Sequence, residues 1–152
     1  MKPRWSRREF LERAFLQLSS LPLLSLIGCS SDPDAPPLVE ISRALRAMLR
    51  ERVESSVLRD FFGQGEPQAL DALGSRYLFD QLGERRPRDA DVMALLQPTM
   101  ELLEGAHDDA TAIETLHQTI EHEFSERNVL DLAGWTLAPT ELALAALYFS
   151  VR

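Results

Sequence analysis

Pro139-Thr140-Glu141-Leu142-Ala143-Leu144-Ala145-Ala146-Leu147-Tyr148-Phe149 carries no charge after Glu141 and is apolar around its whole circumference when wound as a helix. A helix of this kind has no side to offer to water, so it belongs at the centre of a domain with other helices around it. Pro139 suits a first helical position, where its missing N–H costs nothing, and Glu141 lies favourably near the positive helix end. This segment predicts an all-α bundle, and nothing elsewhere alternates long enough to demand a sheet.

Working outward, residues 128–136 read as irregular or briefly extended. Before them, Ile113, Leu116, Ile120 and Phe124 form the narrow stripe of an amphipathic helix capped by Asp108 or Asp109. The preceding helix should open on Asp89 as its cap, turn Val92, Leu95, Leu96, Thr99 and Leu103 inward, kink or split at Pro98, and stop at Gly105. Another starts near Pro67 and places Leu70, Leu73, Gly74 and Tyr77 on one face. Gly74 there either lets a second helix approach closely or is a neutral choice. The first segment begins with Ile41, Ala44, Leu45 and Met48 at helical spacing, then loses phase, with Val57, Leu58, Phe61 and Phe62 on other faces. It predicts a bent or two-sided helix ending at Gly63-Gln64-Gly65. The expectation is a small bundle of about five helices over residues 39–152.

The chain before that domain reads as an address. Five of the 16 basic residues lie in the first 28 positions, followed by an uncharged stretch over residues 14–28. That stretch falls short of the roughly 20 apolar residues a permanent membrane helix needs, and the pattern is that of a signal peptide, residues 1–28. Within it, Ser6-Arg7-Arg8-Glu9-Phe10-Leu11 resembles a twin-arginine export motif, with Arg7, Arg8, Phe10 and Leu11 as its defining residues and the twin-arginine translocase as the implied partner. Leu26-Ile27-Gly28-Cys29 resembles a bacterial lipobox, in which the thiol of Cys29 takes a diacylglyceryl group. Cys29 is the one cysteine of the chain, which excludes an internal disulfide. Residues 29–38, beginning Cys29-Ser30-Ser31-Asp32-Pro33-Asp34-Ala35-Pro36-Pro37, then read as a lipidated cysteine and flexible tether, polar and proline-rich. Several acyl chains together anchor stably where one does not. Ser30 after the cysteine points mildly to the outer membrane. The expected location is the periplasmic or cell-surface side of a membrane.

After residue 28 the chain holds 11 arginines, no lysine and 22 acidic residues, a net charge of −11. Such a surface repels phosphate backbones, which argues against nucleic acid as a partner. Arg85, Arg86 and Arg88 are its one basic cluster.

Candidate chemistry is sparse. His107 and His117 each follow a glutamate by three residues, at Glu104 and Glu114, a spacing used in pairs by di-iron bundles. Gly105 interrupts the first element, and further inward glutamates are not evident, so no metal site is expected. A metal-dependent activity through His117, Glu114 and Glu121 is the weakest of three readings. His117 lies within the stripe of Ile113 and Ile120, as a core or interface histidine would, whereas His122 points to solvent. No serine stands in a nucleophile elbow, and there is no glycine-rich phosphate loop. Tyr77 and Trp135 are core plugs or interface anchors, core being favoured because a small domain needs its large side chains inside. With His117 they are the candidate partner contacts.

Leu73-Gly74-Ser75-Arg76-Tyr77-Leu78 and Asp131-Leu132-Ala133-Gly134-Trp135-Thr136-Leu137-Ala138-Pro139-Thr140-Glu141 resemble two elements of a family of small twin-arginine-exported bacterial proteins without an established role. In that family a Gly-x-x-Tyr-Leu element precedes a Gly-Trp-x-Leu-Ser-x-Thr-Glu element that opens the last helix. Ala138 replaces the serine, so the side-chain cap is lost and Pro139 must set the turn. More remotely, the layout is similar to the small subunits of membrane-associated flavin dehydrogenases for sugars and sugar acids. That resemblance implies a non-catalytic, cofactor-free subunit that escorts a larger cofactor-bearing catalytic subunit across the membrane. The other expectation is a free-standing envelope lipoprotein that binds a protein or a cell-wall component.

Overall fold

A computed structural model describes residues 38–63, 65–132 and 134–152. Arg7, Arg8, Phe10, Leu11, Leu26, Ile27, Gly28 and Cys29 lie outside them, so the export and lipidation expectations are not addressed by the fold. Six helices and one short hairpin make up the domain: α1 Arg43–Arg52, α2 Ser55–Phe62, α3 Pro67–Leu82, α4 Asp89–Glu104, α5 Asp109–Ser125, β1 Leu130–Leu132, β2 Trp135–Leu137 and α6 Pro139–Val151.

The centre is α6. Leu142, Leu144, Ala145, Ala146 and Leu147 are fully buried, as the unbroken apolar run requires, and each of the other five helices packs against it. Its closest neighbour is α3. A Cβ on Gly74 would stand 2.3 Å from the carbonyl oxygen of Ala145 and 2.9 Å from Cα of Ala146. Of the two readings of Gly74, close approach is the correct one: two backbones touch where this residue has no side chain.

Three local expectations are corrected. The drifting first segment is two helices, because Val53 leaves helical geometry (φ −113°, ψ 115°) and the chain restarts at Ser55. That break explains the lost phase: Leu45 and Leu49 face the core in α1, Val57 and Leu58 in α2, and Met48 is left 38% exposed. Secondly, α4 runs unbroken through Pro98, which sits on the exposed side, and Met100 joins Val92, Leu96 and Thr99 in the buried face. Thirdly, Asp89 is the first residue of α4 and not its cap; Arg88 holds the cap position and Asp89 accepts a hydrogen bond from the Ser42 hydroxyl at 2.8 Å.

Asp108 caps α5 by accepting from the Thr111 N–H at 2.7 Å, and that backbone bond holds its carboxyl below the usual value. Phe124, assigned to the inner stripe, is 37% exposed, and Ala112 takes a place in it instead. The stretch read as irregular or briefly extended holds most of an antiparallel hairpin that runs on to Leu137, with Leu130 opposite Leu137 and Leu132 opposite Trp135. Gly134 turns it at φ 83°, a conformation that costs a residue without Cβ little.

Ala138 offers no side-chain cap to α6, and two glutamates compensate. Glu141 accepts from the Ala138 N–H at 2.8 Å, which is half of a capping box. Glu123, from the end of α5, accepts from the Thr140 N–H at 3.2 Å and the Thr140 hydroxyl at 2.9 Å. The cap of the central helix is thus supplied by another helix, which ties α5 to α6. Glu123→Ala is expected to destabilise the domain by about 1–2 kcal/mol, the usual cost of a lost cap, and Glu123→Gln by less. Equal urea midpoints for wild type and Glu123→Ala would refute this role.

One end of the bundle gathers the start of the domain onto the α3–α4 turn. The Val39 N–H donates to the buried Ser75 hydroxyl at 2.9 Å, and the Glu40 N–H to the Arg85 carbonyl at 2.8 Å. The Glu40 carboxylate meets Arg86 at 2.7 Å and Arg85 at 3.2 Å. At the opposite end, Arg52 of α1 pairs with Glu104 of α4 at 2.8 Å, and Ser56 of α2 donates to Asp109 of α5 at 3.1 Å.

Candidate interaction surface

The three residues singled out as partner contacts fall in three different places. Tyr77 is a core residue of α3, 4% exposed, and burial together with the Glu123 charge pushes its hydroxyl pKa up. It therefore drops out as a contact and takes the role of a core plug. Trp135 is half-buried on the hairpin, opposite Leu132. His117 is half-buried on α5, where its ring lies 5.4 Å from that of Phe61 at a tilt of 54°.

That contact opens onto a larger feature. Phe61 and Phe62 meet edge to face at 5.1 Å, and Phe62 meets Tyr148 of α6 in the same manner at 6.0 Å. The Arg152 guanidinium then lies 5.6 Å from the centre of the Tyr148 ring. His117, Phe61, Phe62, Tyr148 and Arg152 thus form a continuous ridge across α5, α2 and α6. Each ring is half-buried, with one part in the domain and one part toward solvent. Edge-to-face pairs and an arginine over a ring hold such residues in fixed orientations at low entropy cost. Aromatic residues and arginine are also the types that carry binding energy at protein interfaces.

Phe61 and Phe62 read from sequence alone as residues on divergent faces with no role attached. The signal was their adjacency: two neighbouring aromatics in a helix point about 100° apart, so the pair fans across a wide face.

Beside the ridge, Arg152 pairs with Asp71 of α3 at 2.6 Å, with one Asp71 oxygen buried and unpartnered. Burial raises the Asp71 carboxyl pKa, while Arg152 and Arg46 pull it down. The Arg50 side chain donates to the carbonyls of Val151 and Arg152, closing the last turn of α6. An open groove of about 510 Å³ runs past this point, lined by Arg50, Val53, Glu54, Ser56, Arg59 and Val151.

Among the described residues no three His, Cys, Asp or Glu side chains converge in a way that could hold a metal ion. Glu114 and Glu121, named beside His117 in the metal reading, are both exposed, and Glu114 accepts from Gln118 at 2.9 Å. No described helix is long and apolar enough to cross a membrane. No family model, curated protein or solved structure matches the chain.

Proposed function

We propose that this protein is a lipid-anchored extracytoplasmic accessory subunit that escorts a larger, cofactor-bearing partner through the twin-arginine translocase, the resembled class being a flavin-dependent dehydrogenase. The observation that carries the reading is the order of signals: Arg7-Arg8-Glu9-Phe10-Leu11, an uncharged stretch, then Leu26-Ile27-Gly28-Cys29. The twin-arginine route handles folded cargo, often with a cofactor already inserted, and an escort subunit gives a reason for a small helical domain to use it. The aromatic ridge supports the reading as well, since its composition and rigidity suit a protein contact.

The test is affinity capture of the tagged, membrane-extracted protein with mass spectrometry of what accompanies it. A stoichiometric flavoprotein that has no signal peptide of its own is the expected result. Capture of the protein alone would refute the escort role and favour a free-standing envelope lipoprotein. Phe62→Ala is expected to lower partner recovery about tenfold, equivalent to about 1.4 kcal/mol, with far-ultraviolet circular dichroism unchanged. Undiminished recovery would remove the ridge from the contact.

A further inference from the structure

Residues 39–42 are pinned to one end of the bundle by Ser75, Arg85, Arg86 and Asp89. Cys29 stands ten residues before Val39. Ten steps of fully extended chain reach at most about 35 Å, so a lipid on Cys29 holds this end within that distance of the bilayer. The same end carries Arg85, Arg86 and Arg88, with side chains 62%, 78% and 81% exposed. Leu38, beside the pinned Val39, is 66% exposed, the highest of any large hydrophobic among the described residues.

We propose that this corner is the face the anchored domain turns to the bilayer, with Arg85, Arg86 and Arg88 against headgroup phosphates and Leu38 at the interface. The inference rests on the lipid-anchor reading above. A guanidinium matches a phosphate in geometry as well as charge, and its long stem lies along a surface while the head reaches out. Four carboxylates share the corner. Glu40 bridges Arg85 and Arg86, Asp91 pairs with Arg88 at 2.8 Å, Asp89 accepts from Ser42, and Glu84 lies in the turn. They leave the corner close to neutral. The remainder of residues 38–152 holds 8 arginines against 16 acidic residues, so taken together it is repelled more strongly by an anionic surface than this corner is.

The test uses the full chain, lipidated in cells and reconstituted into phosphatidylethanolamine–phosphatidylglycerol vesicles that carry an acceptor dye on their headgroups. A donor dye is attached at Ala90→Cys, in the first turn of α4, or at Ala110→Cys, in the first turn of α5; both positions are exposed. The lipidated Cys29 sulfur is a thioether and does not react with the dye. Energy transfer is expected to be roughly threefold greater from position 90, because about 24 Å of α4 separates the two sites. Equal transfer, or more from position 110, would overturn the orientation. Leu38→Asp combined with Arg88→Glu is expected to reduce the contrast about twofold or more, since each arginine near an anionic surface contributes about a fivefold preference. An unchanged contrast in that variant would overturn the contact. Vesicle flotation is read separately: protein that stays at the bottom refutes the lipid anchor, and floating protein without contrast refutes only the orientation.

Discussion

Gly74→Ala is expected to cost the domain about 3 kcal/mol or more, at the top of the usual range for overpacking. The reason is what the new methyl group would meet. The nearest atoms are the carbonyl oxygen and carbon of Ala145, at 2.3 and 2.7 Å, followed by Cα of Ala146 at 2.9 Å. These are backbone atoms of the central helix, and a side-chain rotation elsewhere cannot clear them. Relief requires α3 to move away from α6, which opens gaps along the whole seam where Leu70, Tyr77 and Leu78 are buried. A loss of that size lowers the melting temperature of a domain this size by about 10 °C or more. Gly74→Val adds two further methyls and is expected to leave little folded protein at 25 °C, since total stabilities run to only about 5–15 kcal/mol. Urea midpoints for the two variants measure both effects. A Gly74→Ala protein within about 0.5 kcal/mol of wild type would show that the two helices can separate freely, contrary to the packing described.

The second large effect is on location. On the proposed lipid anchor, Cys29→Ser is expected to move the protein from the membrane fraction to the soluble extracytoplasmic fraction, because Cys29 is the one cysteine of the chain and the proposed attachment point for acyl chains. Arg7→Lys with Arg8→Lys is expected to leave uncleaved precursor in the cytoplasm, since the twin-arginine route reads guanidinium pairs and not charge alone. Fractionation followed by immunoblotting distinguishes the two. A Cys29→Ser protein that remained membrane-bound would refute the lipid anchor, and normal export of the double lysine variant would refute the pathway.

The helical class and the central position of α6 were legible because Leu142 to Leu147 leaves no polar face, and solvent exclusion admits one solution for such a helix. Pro67, Asp108 and Gly63 announced their helix ends through chemistry that acts within one turn. What escaped was set at longer range. The α1–α2 break at Val53 carries no glycine or proline to mark it, and both short helices pack on α6. Pro98 does not split α4, because it lies on the exposed side of the helix. The capping of α6 by Glu123 joins residues 17 apart in the chain, and no local pattern marks it. Of the candidate contacts, His117 was placed in a stripe that does border the aromatic ridge, whereas Tyr77 went to the core. That is the reading favoured from sequence, since a domain this small needs its large side chains inside. The Phe61-Phe62 pair was visible, but its continuation to Tyr148 depends on α2 lying across α6.

The order of synthesis gives the buried helix a further meaning. The other five described helices all rest on α6, and each of them leaves the ribosome before it. Until residues 142–151 emerge, Leu45, Leu58, Val92 and Leu116 have no common centre to collapse onto, so the earlier helices exist only as marginal, fluctuating segments. The bundle therefore commits to its structure in one step once α6 is available, and not helix by helix. A polypeptide interrupted at Ala138 is expected to be an unfolded substrate for proteases instead of a smaller bundle, which makes α6 a checkpoint for the whole domain.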